Sequence, residues 1–194
     1  MDHLVLNIQK NVIEVELKAK NGKVQNFSDK IKSIEKNKII SEKIKSVKGK
    51  RPEIHSSCWL ADNATIVGDV KMAANCNVWF NAVVRGDVCT IEMGENCNIQ
   101  DGAVIHGTLN LSKTVLGKNV SIGHNAIVHG CIIEDNVLIG MGAIVMDAVV
   151  VESNSIVAAG AVVLEGTHIP SGSIYAGVPA KKVKDITPEL VSGE

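Results

Sequence analysis

Aromatic residues are scarce, with Phe, Trp and Tyr making up 3% of the 194 residues. That excludes a core built on large flat side chains. An excess of charge is missing as well, with 20 basic residues against 21 acidic ones. There is no basic field for nucleic acid and no acidic tail. Gly, Asp or Asn breaks the longest apolar runs every few residues, so no stretch can span a bilayer. The start, Met1-Asp2-His3, carries no signal-peptide pattern. The five cysteines, Cys58, Cys76, Cys89, Cys97 and Cys131, are odd in number and lack CxxC spacing. They are expected to be reduced and mostly buried, in a cytoplasmic protein with no nucleic-acid or membrane partner.

Apolar residues nonetheless reach 45%, dominated by Val, Ile and Ala, and there are 17 glycines. That combination points to a narrow core of β-branched and small residues, repeated many times. The length suits one domain with a small appendage. Residues 1–43 are that appendage, a lysine-rich N-terminal extension with glycine only at Gly22, either packed on the main body or a neighbouring subunit or loosely ordered. Val12 to Lys20 alternates apolar and charged residues, as a half-exposed strand would. Ser28 to Ile44 spaces its isoleucines closer to a helical stripe, with Ser28 as a possible N-cap.

From Ile66 an aliphatic residue recurs every six positions, at Ile66, Met72, Val78 and Val84. The series resumes at Met93, Ile99 and Ile105, then at Leu116, Ile122 and Val128, and from Ile133 through Val163. Small or branched residues follow four positions later, as at Val70, Cys76, Ala82, Cys97 and Ala103. A period of six is not helical. It predicts an all-β fold, a parallel β-helix of hexapeptide repeats over residues 44–179 in which three hexapeptides make one triangular coil. Gly and Asn recur where the corners need permissive backbone. Residues 180–194 are predicted to form a short C-terminal helix and tail.

The period also places the histidines. Rungs three apart stack on one face, so Arg85, His106 and His129, each following the aliphatic residue of its rung, form a vertical column. His106 and His129 can then converge on one ion. His124 belongs to a different face, with Asp101 beneath it and Gln100 beside that. It would serve the site of a neighbouring chain, and the simplest closed arrangement is a cyclic homotrimer with intersubunit metal sites. Three imidazoles keep one coordination position open and suit Zn2+, with Fe2+ or Co2+ as alternatives.

These residues resemble the γ-class carbonic anhydrase family, within the left-handed β-helix hexapeptide proteins. The resemblance covers roughly residues 44–183. It is carried by Asn81 to Asp87, by Asn98-Ile99-Gln100-Asp101-Gly102 with His106, by His124 to Gly130, and by Tyr175 to Lys181. It implies reversible hydration of carbon dioxide to bicarbonate, with His106, His124 and His129 as metal ligands and Gln100 positioning the bound hydroxide or bicarbonate. It also implies an intersubunit salt bridge between Arg85 and Asp101, Asp87 and Asn98 in the surrounding network, and Tyr175 near the site. One departure concerns proton export. Val88 stands where a glutamate follows the Arg-Gly-Asp segment in the best-studied relatives, and residues 107–115 contain no acid. The chain therefore resembles a short-loop subgroup whose hydratase activity is weak or undemonstrated.

Two other readings stay open. One is a hexapeptide acyltransferase or thioesterase acting on a CoA thioester. The other is a non-catalytic trimer stapled by metal. Three histidines in register weigh against the acyltransferase, and no fourth protein ligand is at hand for a closed structural site.

Overall fold

The period of six closes into coils. In this computed structural model the described residues are 4–9, 12–18, 24–26, 43–110 and 113–186. They fall into two compact units, Met1–Glu42 and Lys43–Glu194. In the first, Leu4–Gln9, Val12–Lys18 and Val24–Asn26 form an antiparallel sheet in that order. The helix expected from Ser28 lies outside the described residues as far as Glu42. Ile44–Lys45 is a strand, paired in parallel with Ile66–Val67.

The second unit is a left-handed parallel β-helix. Its three faces can be read from strand register. One stacks Ile66, Val84, Ile105, Val128, Val145 and Val163. A second stacks Leu60, Val78, Ile99, Ile122, Ile139, Val157 and Tyr175. The third stacks Ile54, Met72, Met93, Leu116, Ile133, Val151 and Ile169. Side chains alternate across a strand, so each of these positions points inward and the residues on either side point out. Nearly all of the inward residues are buried, together with the small Cys76, Ala82, Cys97, Ala103, Ala126 and Ala143. Burying one such aliphatic side chain contributes roughly 1.5–3 kcal/mol, and the columns repeat that gain in every coil.

One corner is built from asparagine. Asn75, Asn96, Asn119, Asn136 and Asn154 all adopt left-handed backbone, with φ between 56° and 61°. Their side-chain amides form a ladder, each Nδ2 donating to the Oδ1 of the next coil at 2.9–3.3 Å. Asn tolerates this backbone better than other residues with a side chain, and the ladder satisfies its amide.

The C-terminal helix is corrected by the structure. Lys181–Asp185 is a β-strand, antiparallel to Ser173–Ala176. The chain reverses at Gly177 (φ 94°) and covers the edge of the last coil, whose N–H and C=O groups would otherwise be unpaired. This stretch has Val183 as its single large apolar residue, so it offers no stripe on which a helix could pack. Residues 187–194 lie outside the described residues.

Candidate metal site

Val84, Ile105 and Val128 occupy successive coils, and His106 is the direct strand partner of His129. Because Ile105 and Val128 point inward, the next residue on each strand points out. The two imidazoles therefore leave the same face one coil apart. Nδ1 of His106 lies 3.2 Å from Nε2 of His129.

The other ring nitrogens meet carboxylates. His106 Nε2 is 3.0 Å from Asp87 Oδ1, and His129 Nδ1 is 2.8 Å from Asp147 Oδ2. An ionised carboxylate only accepts hydrogen bonds, so each ring places its N–H on the carboxylate side. The lone pairs of His106 Nδ1 and His129 Nε2 are left facing one another. Arg85 Nη1 donates to both oxygens of Asp87, at 2.8 and 2.7 Å, and Nη2 lies 3.4 Å from His106 Nδ1. Burial pushes the Asp87 carboxyl up. The hydrogen bonds from His106 and Arg85, with the charge of Arg85, outweigh that and hold it below its ordinary value.

Thr114 ties the backbone of this region together. It is fully buried; its Oγ1 donates to the His106 carbonyl and accepts the Gly130 N–H at 3.1 Å. The His106 carbonyl and the N–H of the residue after His129 are thereby tied to one side chain.

His124 lies elsewhere. Its Nδ1 is 3.0 Å from Asp101 Oδ2. It lines an open groove of about 340 Å³ with Asn77, Trp79, Asn98, Gln100 and Asp101. Neither His106 nor His129 lines that groove. Among the described residues of one chain, no group of three or more His, Cys, Asp or Glu is arranged to hold a metal ion. Asn98 Oδ1 is buried without a partner among the described residues. Trp79, Trp59 and Phe80 form an exposed aromatic cluster, with Trp59 and Trp79 centroids 4.9 Å apart.

The structure thus gathers the expected site residues into two groups. Arg85, Asp87, His106 and His129 form one; Asn98, Gln100, Asp101 and His124 form the other. Within one chain Arg85 pairs with Asp87, and Asp101 pairs with His124. Tyr175 joins neither group, since it stacks three coils above Ile122, roughly 14 Å at ~4.8 Å per coil. Asp147 and Thr114 are additions. Thr114 sits beyond an irregularity in the repeat, where spacing says nothing. Asp147 had a signal, because Val145 stacks on Val128 and Asp147 follows it by two positions.

The first group suits a borderline cation bound by nitrogen. Two nitrogens at ~2.0–2.1 Å from a tetrahedral ion are about 3.3 Å apart, close to the 3.2 Å observed. Metal-binding imidazoles almost always donate their second ring N–H to a carboxylate, a backbone carbonyl or water, and both rings here meet a carboxylate.

Residues 113–145 and 130–165 match the bacterial transferase hexapeptide (six repeats) family. The chain is 38% identical over 142 residues to a protein of Geobacillus kaustophilus named carbonic anhydrase, covering 73% of this chain and 78% of that one. It is 41% identical to γ carbonic anhydrase 1, mitochondrial, of Arabidopsis thaliana, covering 74% of this chain and 54% of that one. Among solved structures, a hexapeptide transferase family protein from Anaplasma phagocytophilum superposes with a TM-score of 0.75 at 41% identity. That match covers 78% of this chain and 89% of the other. Among the described residues, no helix is long and apolar enough to cross a membrane.

Proposed function

The chain belongs to the γ-class carbonic anhydrase family of hexapeptide-repeat proteins, and from that premise we propose that it catalyses the metal-dependent reversible hydration of carbon dioxide to bicarbonate. The site is shared between subunits of a homotrimer, with His106 and His129 from one chain and His124 from its neighbour. The observation that carries this reading is the division of the histidines. Two face each other across 3.2 Å, and the third opens on a different groove.

Zn2+ is the ion these residues suit, with Fe2+ or Co2+ as alternatives; such an ion supplies a nucleophilic oxygen at neutral pH by lowering the pKa of water to about 7. The protein groups divide the remaining work. Asp87 orients His106, and Arg85 keeps Asp87 ionised and in place. Gln100, on the groove beside His124, is the amide that orients the reacting oxygens by hydrogen bonding. Asn98 Oδ1, buried and without a partner among the described residues, would find its partner at the assembled site. Proton export is the weak step. Val88 and the acid-free stretch 107–115 provide no carboxylate relay, so turnover is slow.

A second reading draws on the relative described as a hexapeptide transferase: transfer or hydrolysis of an acyl group from a CoA thioester. Metal analysis of untagged protein, combined with stopped-flow carbon dioxide hydration and a CoA-thioester assay, separates the two. Bound metal with measurable hydration supports the proposal. Metal-free protein that consumes the thioester overturns it. Stoichiometric metal with neither activity would leave the non-catalytic, metal-stapled trimer.

A further inference from the structure

Each of the three candidate ligand histidines meets a carboxylate, and two of those carboxylates, Asp87 and Asp101, already belong to the site. The remaining one, Asp147, comes from the coil above His129. Its backbone is held on both sides: the Met146 N–H donates to the Val163 carbonyl at 3.1 Å, and the Ala148 N–H donates to the Gly130 carbonyl at 2.8 Å. Ala148 takes left-handed backbone (φ 56°), where the other non-Gly residues among those described are Lys48 and asparagines. The side chain is 18% exposed, and its Oδ2 accepts from His129 Nδ1 at 2.8 Å. Its Oδ1 is buried with no partner among the described residues.

As a device for stability alone, this is a poor arrangement. A largely buried carboxylate with one oxygen unpaired carries a desolvation cost. A neutral residue would fill the same corner without it. What the carboxylate adds is a charge-assisted acceptor aimed at one imidazole nitrogen. We infer that Asp147 is the positioning residue for His129, holding its ring in the Nδ1–H tautomer so that the Nε2 lone pair is presented to His106. The hydrogen bond stands on geometry alone; its consequence for metal affinity rests on the shared-site reading.

The test uses the full-length protein and its Asp147→Asn, Asp147→Ala, His129→Ala and Asp147→Ala/His129→Ala variants. Zinc affinity is measured by competition with a chelating dye. Imidazole tautomers are read from ¹⁵N shifts of the metal-free protein at about pH 8, above the ordinary imidazole pKa. Asp147→Ala is expected to weaken zinc binding about 10–100-fold and to move His129 away from the Nδ1–H form. Asp147→Asn, whose amide oxygen can accept the same hydrogen bond without charge, should keep the tautomer and lose less affinity. It also stands in for Asp147→Ala should that variant fail to fold. Thermal unfolding of the cycle adds a control, since a positioning role predicts that Asp147→Ala costs stability only while His129 is present. The same loss in the His129→Ala background would mark a purely structural carboxylate and overturn the inference. Unchanged zinc affinity in Asp147→Ala would overturn it too. Wild-type protein that binds no zinc would sink the shared-site reading instead, and the tautomer then decides alone: an Nδ1–H signal for His129 that survives Asp147→Ala refutes the role of Asp147.

Discussion

His106 and His129 are strand partners on adjacent coils, with ring nitrogens 3.2 Å apart, whereas His124, five residues before His129, opens on another groove with Asp101. Neighbours in sequence are therefore separated in space, and residues 23 positions apart are brought together. Subunit mixing turns this into a measurement. His106→Ala and His124→Ala should each lose metal. Refolded together, they should regain it in part, because a mixed cyclic trimer contains an interface where an intact His106–His129 pair meets an intact His124. Metal content after mixing is the readout, and none regained would show that the histidines do not combine across chains.

Trp79 lines the His124 groove and touches Trp59 and Phe80, yet it is 39% exposed in the single chain. Aromatic residues at the centre of an interface commonly cost about 2 kcal/mol or more when truncated. Trp79→Ala is expected to weaken trimer assembly by at least tenfold in sedimentation experiments. In the wild type, dissociation should red-shift tryptophan emission. An assembly that is unaffected would place the groove outside the subunit contact.

The asparagine ladder predicts an unusual order of substitutions. Asn119 has φ 56° and hydrogen-bonds Asn96 and Asn136 through its side chain. Asn119→Ala loses both bonds and puts a Cβ-bearing residue without local hydrogen bonding into left-handed backbone, a cost of roughly 1–3 kcal/mol. Asn119→Gly loses the same bonds but relaxes the backbone. Glycine should therefore be the milder change in thermal unfolding, the reverse of the order within a helix or strand.

Thiol chemistry reports on the interior. Burial, with a further push from the charge of Asp147, drives the Cys131 thiol up to about 12. The thiolate is the reactive form, so Cys131 should resist alkylation at neutral pH until the coil opens. Mass mapping after mild treatment should find it unmodified, and all five cysteines should react in denaturant.

A pH effect is expected on the third face, beside Val151. The Ser171 N–H and then His168 hold the Glu152 carboxyl below its ordinary value. A carboxylate depressed in the folded state stabilises above its unfolded pKa of about 4.3, and that contribution is lost as pH falls through the folded value. Glu152→Gln should lower the melting temperature slightly near pH 7, and the gap should close in acid. The side chain is partly exposed, so solvent screens the interaction and its effect on stability is small. A gap that widened on acidification would contradict this assignment.

Much of the site was legible because a period of six converts spacing into height. Once Val84, Ile105 and Val128 are assigned to one face, His106 and His129 must stack and His124 must lie apart. Spacing cannot show where a polar side chain turns after leaving its strand. Arg85 had two acidic candidates, and in the single chain it takes Asp87, two residues away. Asp147 stacks above His129 only through Val145, and nothing in its own surroundings sets it apart from other corner aspartates. Tyr175 stands in a motif of the family, yet its coil lies three above that of His124.

The amino-acid sequence by itself determined the β-helix, its three columns of aliphatic residues and the membership of each histidine, because strand alternation and a triangular coil leave little choice once the period is set. Tertiary structure alone decided that Asp87 meets His106 and Asp147 meets His129, since those contacts form between coils and depend on how each corner turns. It also decided that Lys181–Asp185 is a strand. An open sheet edge demands backbone partners, and that demand prevailed over any helical preference in the residues that met it.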